Sequence, residues 1–137
     1  MPPKKALIDS DILLSIMQGN PSALAKAQEY LAAHGRFTFS VITKYEILRG
    51  LKAVRASKQA EAFDEFCSRS EIILLDDSMA VRAADIYADL KAGGGMIGDA
   101  DILIAASALV NGLGIVTNNQ AHFTRIKGLR VENWLTQ

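Results

Sequence analysis

The stretch that decides the fold is Ile97-Gly98-Asp99-Ala100-Asp101-Ile102-Leu103-Ile104-Ala105-Ala106-Ser107-Ala108-Leu109-Val110, in which two carboxylates open the most apolar helical segment of the chain. Because apolar residues occupy every side of this segment, it predicts a buried helix that packs against several neighbours and holds its first turn rigidly. Asp99 is suited to cap the helix, since Asp is a preferred N-cap residue. Only one cap is needed, so Asp101 must be solvated, paired or bound to a metal.

Short strands and helices alternate on both sides of this helix. Buried strands are predicted at residues 4–9, 36–41, 71–76 and 115–117, with a candidate edge strand at 129–131. Further helices are predicted at residues 12–17, 21–33, 43–54, 58–67 and 77–92. Strands that alternate with helices in this way predict an α/β fold with a mainly parallel sheet of four to five strands.

Length and composition limit the class of protein. A chain of 137 residues fits a single domain, 1–137. The single Cys67 excludes an internal disulfide framework and fits a reducing, cytoplasmic compartment. Asp9 and Asp11 interrupt any signal-peptide core, and the apolar runs are far shorter than the ~20 residues of a membrane span, so we expect a soluble protein with no membrane contact.

Charge is balanced overall but unevenly distributed. Lys and Arg total 15, as do Asp and Glu, so the net charge gives no indication of nucleic-acid binding. Two groups of cations nonetheless stand out: Arg49, Lys52, Arg55 and Lys58, which recur every three residues along one predicted helical segment, and Arg125, Lys127 and Arg130. Each group is either a solvated face or a phosphate-contact surface, and the sequence leaves both interpretations open.

Four acidic or amide side chains end the predicted strands or begin the helices that follow them: Asp9, Glu46, Asp101 and Asn119. Because the carboxyl ends of parallel strands meet at one edge of a sheet, we expect these side chains to converge. Converging carboxylates repel one another, and a hard divalent cation such as Mg²⁺, which prefers oxygen ligands, would compensate their charge.

Each of these residues also has a structural interpretation. The spacing of Thr43 and Glu46 is that of a capping box, which would give Glu46 a purely structural role. Asp11 is better placed than Asp9 to be a simple helix cap. A surface or packing role suits His122 better than a role as general acid. Four separate structural roles for these residues, all at one edge of the sheet, would nevertheless be a coincidence. One shared metal site is the simpler interpretation.

Four ordered motifs span the chain. The first two are Leu7-Ile8-Asp9-Ser10-Asp11-Ile12-Leu13 and Ser40-Val41-Ile42-Thr43-Lys44-Tyr45-Glu46-Ile47-Leu48-Arg49-Gly50, the latter with the pattern S-x-x-T-x-x-E-x-x-x-G. The other two are residues 97–101 with 104–106, and residues 116–119 with Phe123. In order and spacing, these motifs resemble those of the PIN-domain ribonucleases of the VapC toxin family, the toxic half of bacterial toxin–antitoxin pairs.

This resemblance implies a three-layer α/β/α fold and Mg²⁺-dependent endoribonuclease activity, with Mn²⁺ as an alternative cofactor. The positions of the family's core acids fall on Asp9, Glu46 and Asp101, and its fourth polar position falls on Asn119. The accessory positions are Asp11, Asp99 and Thr117. Position 11 is more often Asn in the family, and Asn119 replaces an acid of some members, so both one and two metals remain open.

The resemblance also implies a mechanism and partners. A metal-activated water would attack a phosphodiester bond in structured RNA, often a tRNA. A cognate VapB antitoxin would inhibit the ribonuclease activity, and the resemblance also implies a homodimer. The antitoxin would bind the apolar surface of the early helices, including Ile12, Leu13, Ile16 and Met17. Arg49, Lys52 and Arg55 are the candidate RNA contacts.

Two other functions remain open from the sequence. One is a PIN-like module that binds RNA or metal without cutting, against which the complete set of acids argues. The other is a metal-dependent DNA nuclease or phosphatase on a related α/β sheet, which only substrate tests separate from a ribonuclease.

Overall fold

A parallel sheet of five strands lies at the centre of the protein, in a computed structural model that describes residues 2–136. The strands are β1 (Ala6–Ile8), β2 (Thr38–Ser40), β3 (Glu71–Ile73), β4 (Gly114–Val116) and β5 (Val131–Glu132). Their spatial order is β3-β2-β1-β4-β5, and every neighbouring pair is parallel. The predicted α/β class is confirmed, with the first strand of the chain in the middle of the sheet.

Seven helices surround the sheet in the part of the chain that the structure describes. They are α1 (Ser10–Met17), α2 (Pro21–His34), α3 (Val41–Ala53), α4 (Ser57–Ser68), α5 (Asp77–Gly93), α6 (Asp99–Val110) and α7 (Gln120–Phe123). Each predicted helix is present, and most boundaries differ from the predicted ones by one or two residues.

The hydrophobic core is divided between the two faces of the sheet. Ala6 and Ile8 pack with residues of α1 to α4 on one face, whereas Leu7 packs with residues of α5 to α7 on the other. Alternate residues of a strand point to opposite faces, so β1 contributes to both halves of the core. This arrangement is the three-layer α/β/α architecture implied by the sequence motifs.

Helix α6 is buried as its apolar sequence predicts. Ile104, Ala105, Ala106 and Ala108 are each at most 1% exposed, and they lie in the half of the core that contains α5. At 12 residues, α6 is too short to span a bilayer, which requires about 20 residues. Within residues 2–136, no helix combines the length and the apolar character needed to cross a membrane.

Three helices begin differently from the predicted caps. Ser40 caps α3, because its Oγ accepts a hydrogen bond of 3.1 Å from the Ile42 N–H. The capping box between Thr43 and Glu46 is therefore wrong, and Glu46 has no capping role.

Helices α1 and α6 supply the other two corrections. Asp9 occupies the N-cap position of α1 and accepts a hydrogen bond from the Ser10 N–H, so Asp11 is not the cap. Gly98 precedes α6 without any side-chain cap, which places Asp99 inside the first turn. There Asp99 interacts favourably with the helix dipole but does not cap the helix.

The surface of α1 is less apolar than predicted. Ile12 and Leu13 are fully buried in the core, so they do not form the expected antitoxin surface, and Ile16 is half-buried. The large apolar side chains that α1 and α2 expose are Met17, Leu24 and Leu31, each 37–38% exposed.

The turn between α3 and α4 interrupts the predicted row of cations. Arg49 and Lys52 lie on α3, whereas Lys58 lies on α4. Arg55 lies in the turn with φ of 55°, in the left-handed region that a side chain makes unfavourable. All four cations are exposed, but they do not share one helical face as the three-residue spacing predicted.

Tyr30 connects α2 to the central strand. Its hydroxyl donates a hydrogen bond to the Ala6 carbonyl and accepts one from the Ala6 N–H, both at 3.2 Å, and the side chain is fully buried. Trp134 packs against the Tyr30 ring, and its carbonyl accepts a hydrogen bond of 2.9 Å from the Ser22 hydroxyl. These contacts attach the end of the described chain to the body of the protein.

We predict that Tyr30→Phe lowers the free energy of unfolding by roughly 1–3 kcal/mol, because the substitution removes the partner of two buried backbone groups. Urea denaturation measures the change. Tyr87→Phe is the matched control, since Tyr87 is 43% exposed and its hydroxyl has access to water. Equal stability of the two variants would show that the Tyr30 hydroxyl contributes nothing.

Candidate active site

Asp9 lies at the carboxyl end of β1 and is only 6% exposed. Its Oδ1 accepts a hydrogen bond of 2.9 Å from the Ser10 N–H, and its Oδ2 accepts one of 2.8 Å from the Thr117 hydroxyl. Burial, with a smaller contribution from the charge of Asp11, raises the pKa of Asp9 to about 7. Asp9 is therefore a carboxyl group that the fold holds tightly although burial opposes its ionisation.

Thr117 links this carboxyl to the end of β4. It is fully buried, and its Oγ1 accepts a hydrogen bond of 3.0 Å from the Asn119 N–H while its hydroxyl donates to Asp9. Thr117 thus orients Asp9 and the Asn119 backbone together, which gives a physical basis to its predicted accessory position.

Asp11 lies in the first turn of α1 and faces the same loop. Its Oδ2 accepts a hydrogen bond of 3.0 Å from the Asn118 N–H, and its Oδ1 is buried without a hydrogen-bond partner. Burial raises the pKa of this carboxyl as well. An unpaired buried carboxylate oxygen is costly, so this atom is a candidate to interact with a bound cation.

Asp101 and Asn119 meet at His122. The His122 Nδ1 lies 3.0 Å from Asp101 Oδ2 and 2.8 Å from Asn119 Nδ2. One ring nitrogen cannot both donate and accept, and the Asn oxygen and nitrogen are assigned from the surrounding hydrogen bonds. When Nδ1–H donates to Asp101 Oδ2, the Asn119 amide fits the ring better with its oxygen toward Nδ1.

The sequence favours a surface or packing role for His122, and the structure adds contacts between its ring and two of the predicted site residues. A signal for these contacts is present in the sequence. His122 follows Asn119 by three residues at the start of α7, and side chains three apart on a helix are neighbours.

Glu46 approaches the site from α3 and is half-buried. Its pKa is raised by burial and by the charge of Asp101, lowered by the charge of Arg49 and raised by Asp11. Asp101 raises the pKa values of Asp9 and Asp11 in the same way. The predicted acids therefore act on one another, as residues that converge at one edge of the sheet should.

Asp99 differs from these acids. It is exposed in the first turn of α6, and among residues 2–136 its side chain takes no part in the hydrogen bonds that join the other site residues. Asp99 and Asp101 are two residues apart in sequence, but only Asp101 enters the site.

The chemistry of these donors fits a hard divalent cation. The site offers carboxylate oxygens and an unpaired buried oxygen on Asp11. The pKa values of Asp9 and Glu46 are raised first by burial and then by neighbouring acids, and a cation would favour the ionised form of both. Within the described part of the chain, no three acidic, His or Cys side chains converge closely enough to hold an ion as they stand. Asp9 and Asp101 point instead to Thr117 and His122, and binding an ion would redirect their oxygens.

Comparison with known proteins identifies the family. The model of the PIN domain matches residues 6–129. The ribonuclease VapC2 of Haemophilus influenzae is 31% identical over 132 residues, which cover 96% of this chain and 98% of that protein. The chain belongs to the VapC family of PIN-domain proteins. A VapC of Shigella flexneri named as a tRNA(fMet)-specific endonuclease is 29% identical over 95% of the chain and 98% of its own length.

Solved structures support this VapC assignment. The DNA-bound VapBC structure from Salmonella typhimurium matches with a TM-score of 0.83 and 30% identity, over 96% of this chain and 99% of the other. VapBC2 from Rickettsia felis, bound to a promoter DNA fragment, also gives a TM-score of 0.83, at 28% identity over 94% and 98% of the two chains. The VapC relatives are named as ribonucleases or endonucleases, so nucleic-acid hydrolysis is the enzymatic class of this family.

We predict that the metal-free VapC-family chain loses stability as pH rises from 5 to 8. The pKa of Asp9 is about 7 in the folded chain and near its ordinary value of 3.8 when unfolded, so folding favours the protonated form. The Asp9 contribution is complete below about pH 4 and is lost as pH rises through 7. At about 1.4 kcal/mol for each pKa unit, the loss between pH 5 and 8 is on the order of 3 kcal/mol.

Urea denaturation in EDTA at both pH values measures this loss. Asp9→Asn, which stays neutral, should flatten the pH dependence, whereas Asp99→Asn should leave it unchanged. An Asp9→Asn variant with the parental pH dependence would contradict the assignment to Asp9.

Proposed function

We propose that this chain is a divalent-metal-dependent endoribonuclease and the toxin of a VapBC-type pair, acting as one PIN domain over residues 1–137. Asp9, Glu46 and Asp101 are the proposed metal ligands, with Asn119 as the fourth polar residue of the site. The observation that carries the proposal is the match to a VapC ribonuclease over 96% of the chain. The carboxyl groups of Asp9, Asp11 and Glu46, whose pKa values are raised by burial and by neighbouring acids, support it. Mg²⁺ is the proposed ion and Mn²⁺ its substitute, since both bind oxygen ligands.

Each side chain has a distinct task in this mechanism. When bound, the divalent ion supplies charge stabilisation for the phosphate and lowers the pKa of an attacking water. Thr117 holds Asp9, and His122 holds Asp101 and Asn119, so the carboxylates are oriented before substrate binds. The positive charges of Arg49, Lys52 and Arg55 lie on the exposed surface that leads away from Glu46 and are the proposed phosphate contacts.

The proposed substrate is structured RNA, and tRNA is the proposed kind of structured RNA. The name of the Shigella relative supports this choice, since that protein is described as specific for tRNA(fMet) over nearly the same length of chain. The balanced charge of this chain agrees with recognition through a local cationic surface.

A VapB-type antitoxin is the proposed protein partner, because structural neighbours with at least 28% identity are VapBC complexes. We assign to it the exposed apolar side chains of α1 and α2, namely Met17, Leu24 and Leu31. A homodimer of the toxin is proposed from the family resemblance, and light scattering of the chain with and without antitoxin tests it.

We predict that EDTA abolishes RNA cleavage and that Mg²⁺ or Mn²⁺ restores it. Asp101→Asn should reduce turnover by orders of magnitude because the ion is misplaced, while Asp99→Asn, with the same chemical change two residues away, should keep most of the activity. Cleavage rates and Mn²⁺ affinity are measured for both variants. Full activity in chelator, or an inactive Asp99→Asn beside an active Asp101→Asn, would overturn the assignment.

We predict that the products carry 5′-phosphate and 3′-hydroxyl ends, because the proposed nucleophile is water and not the RNA 2′-hydroxyl. Mass spectrometry of the cleaved RNA identifies the ends. A 2′,3′-cyclic phosphate would indicate acid–base chemistry without the proposed ion. Cleavage of DNA but not RNA of the same sequence would favour the nuclease alternative.

A further inference from the structure

Tyr45 and Arg49 form an exposed stacked pair on α3. The Arg49 guanidinium lies over the Tyr45 ring, 5.2 Å from its centroid, as residues one helical turn apart allow. The Tyr45 side chain is 60% exposed, so it contributes little to the core. A ring this exposed is open to contact with a ligand, and its flat face can stack on another flat group.

The pair lies beside the candidate active site. Tyr45 precedes Glu46 directly, and Arg49 follows Glu46 by three residues on the same helix. The charge of Arg49 acts on the Glu46 carboxyl, which the charge of Asp101 also reaches. Arg49 is therefore within electrostatic reach of the acids, and the Tyr45 ring lies next to Arg49.

The surroundings of the pair favour a polyanion. Lys52, one turn beyond Arg49, and Arg55, in the following turn, are both exposed. A flat ring combined with a guanidinium plane and neighbouring cations is the combination that binds unpaired nucleotides, in which the base stacks and the phosphates pair with the cations. A purely apolar peptide would leave these cations without counter-charges.

We propose that Tyr45 and Arg49 form a stacking subsite for one unpaired RNA base adjacent to the bond that is cut. This inference rests on the proposed ribonuclease function and adds to it a requirement on the substrate. A base within a duplex already stacks on its neighbours and is not available to the ring. The substrate must therefore present a single-stranded base, in a loop or at an end, beside the cleaved phosphate.

Binding of two fluorescently labelled oligomers tests the subsite. One is a short oligouridylate, and the other is the abasic ribose-phosphate chain of the same length. All variants are made in the Asp101→Asn background and titrated in Mg²⁺ by fluorescence anisotropy. Cleavage of structured RNA by the chain with Asp101 intact is measured separately, so failure of the ribonuclease proposal is recognised independently of this test.

We predict that Tyr45→Ala weakens binding of the oligouridylate by about five- to a hundred-fold, which is the range of one base–aromatic stack. Binding of the abasic oligomer should be the same for Tyr45→Ala and for the parent with Tyr45 intact. Tyr45→Phe should bind both like the parent, because the ring is kept. Lys52→Ala is the matched control for a phosphate contact, and it should weaken both oligomers equally and reduce the salt dependence.

The test is decided by whether the effect of Tyr45→Ala on binding depends on the presence of the base. If Tyr45→Ala weakens both oligomers equally, or neither, or if the parent does not bind the oligouridylate, the stacking subsite is wrong. A loss of antitoxin binding by Tyr45→Ala without any base-dependent effect would likewise overturn it and assign the ring to the protein partner.

Discussion

The burial of the Asp9 carboxyl at the end of the central strand is the constraint on which the rest of the site depends. Strand β1 lies between β2 and β4, so Asp9, which directly follows β1, has a neighbouring strand on each side. A carboxylate in this position needs hydrogen-bond donors, and Ser10 and Thr117 supply them from two different elements. The end of β4 must therefore lie beside the start of α1, which brings Asn119 and His122 toward Asp101.

The fold was largely predictable because its signals are periodic and repeated. The alternation of short apolar strands with helices is enough for an α/β sheet, and the burial of α6 follows from apolar residues on all of its sides. The precise helix starts were not predictable in the same way. Two residues are chemically suitable as the cap of α1, Asp9 and Asp11, and two as the cap of α3, Ser40 and Thr43. Which one caps the helix depends on where the preceding strand stops pairing.

The positions of the site acids were predictable from topology, but the contacts between them were not. Asp9 follows β1 and Glu46 lies on the helix that follows β2, as the rule for parallel strands expects, whereas Asp101 begins a helix that follows α5 and no strand. The hydrogen bonds of Thr117 and His122 depend on the path of the loop after β4, for which the sequence contains no periodic signal. Likewise, the sequence of α1 does not show which of its apolar residues stay exposed. Ile12 and Leu13 are core residues because α2 and α3 pack against α1.

The order of the strands has a consequence for biosynthesis. The first strand of the chain pairs with β4, and the hydroxyl that orients Asp9 comes from a residue 108 positions later. A nascent chain folds from its N-terminal end as it leaves the ribosome, but this site lacks Asp101, Thr117 and Asn119 until the last quarter of the described chain has emerged. Translation products that stop before residue 101 therefore contain only Asp9, Asp11 and Glu46 of the acidic cluster, and the site cannot assemble until Thr117 and Asn119 have also been made.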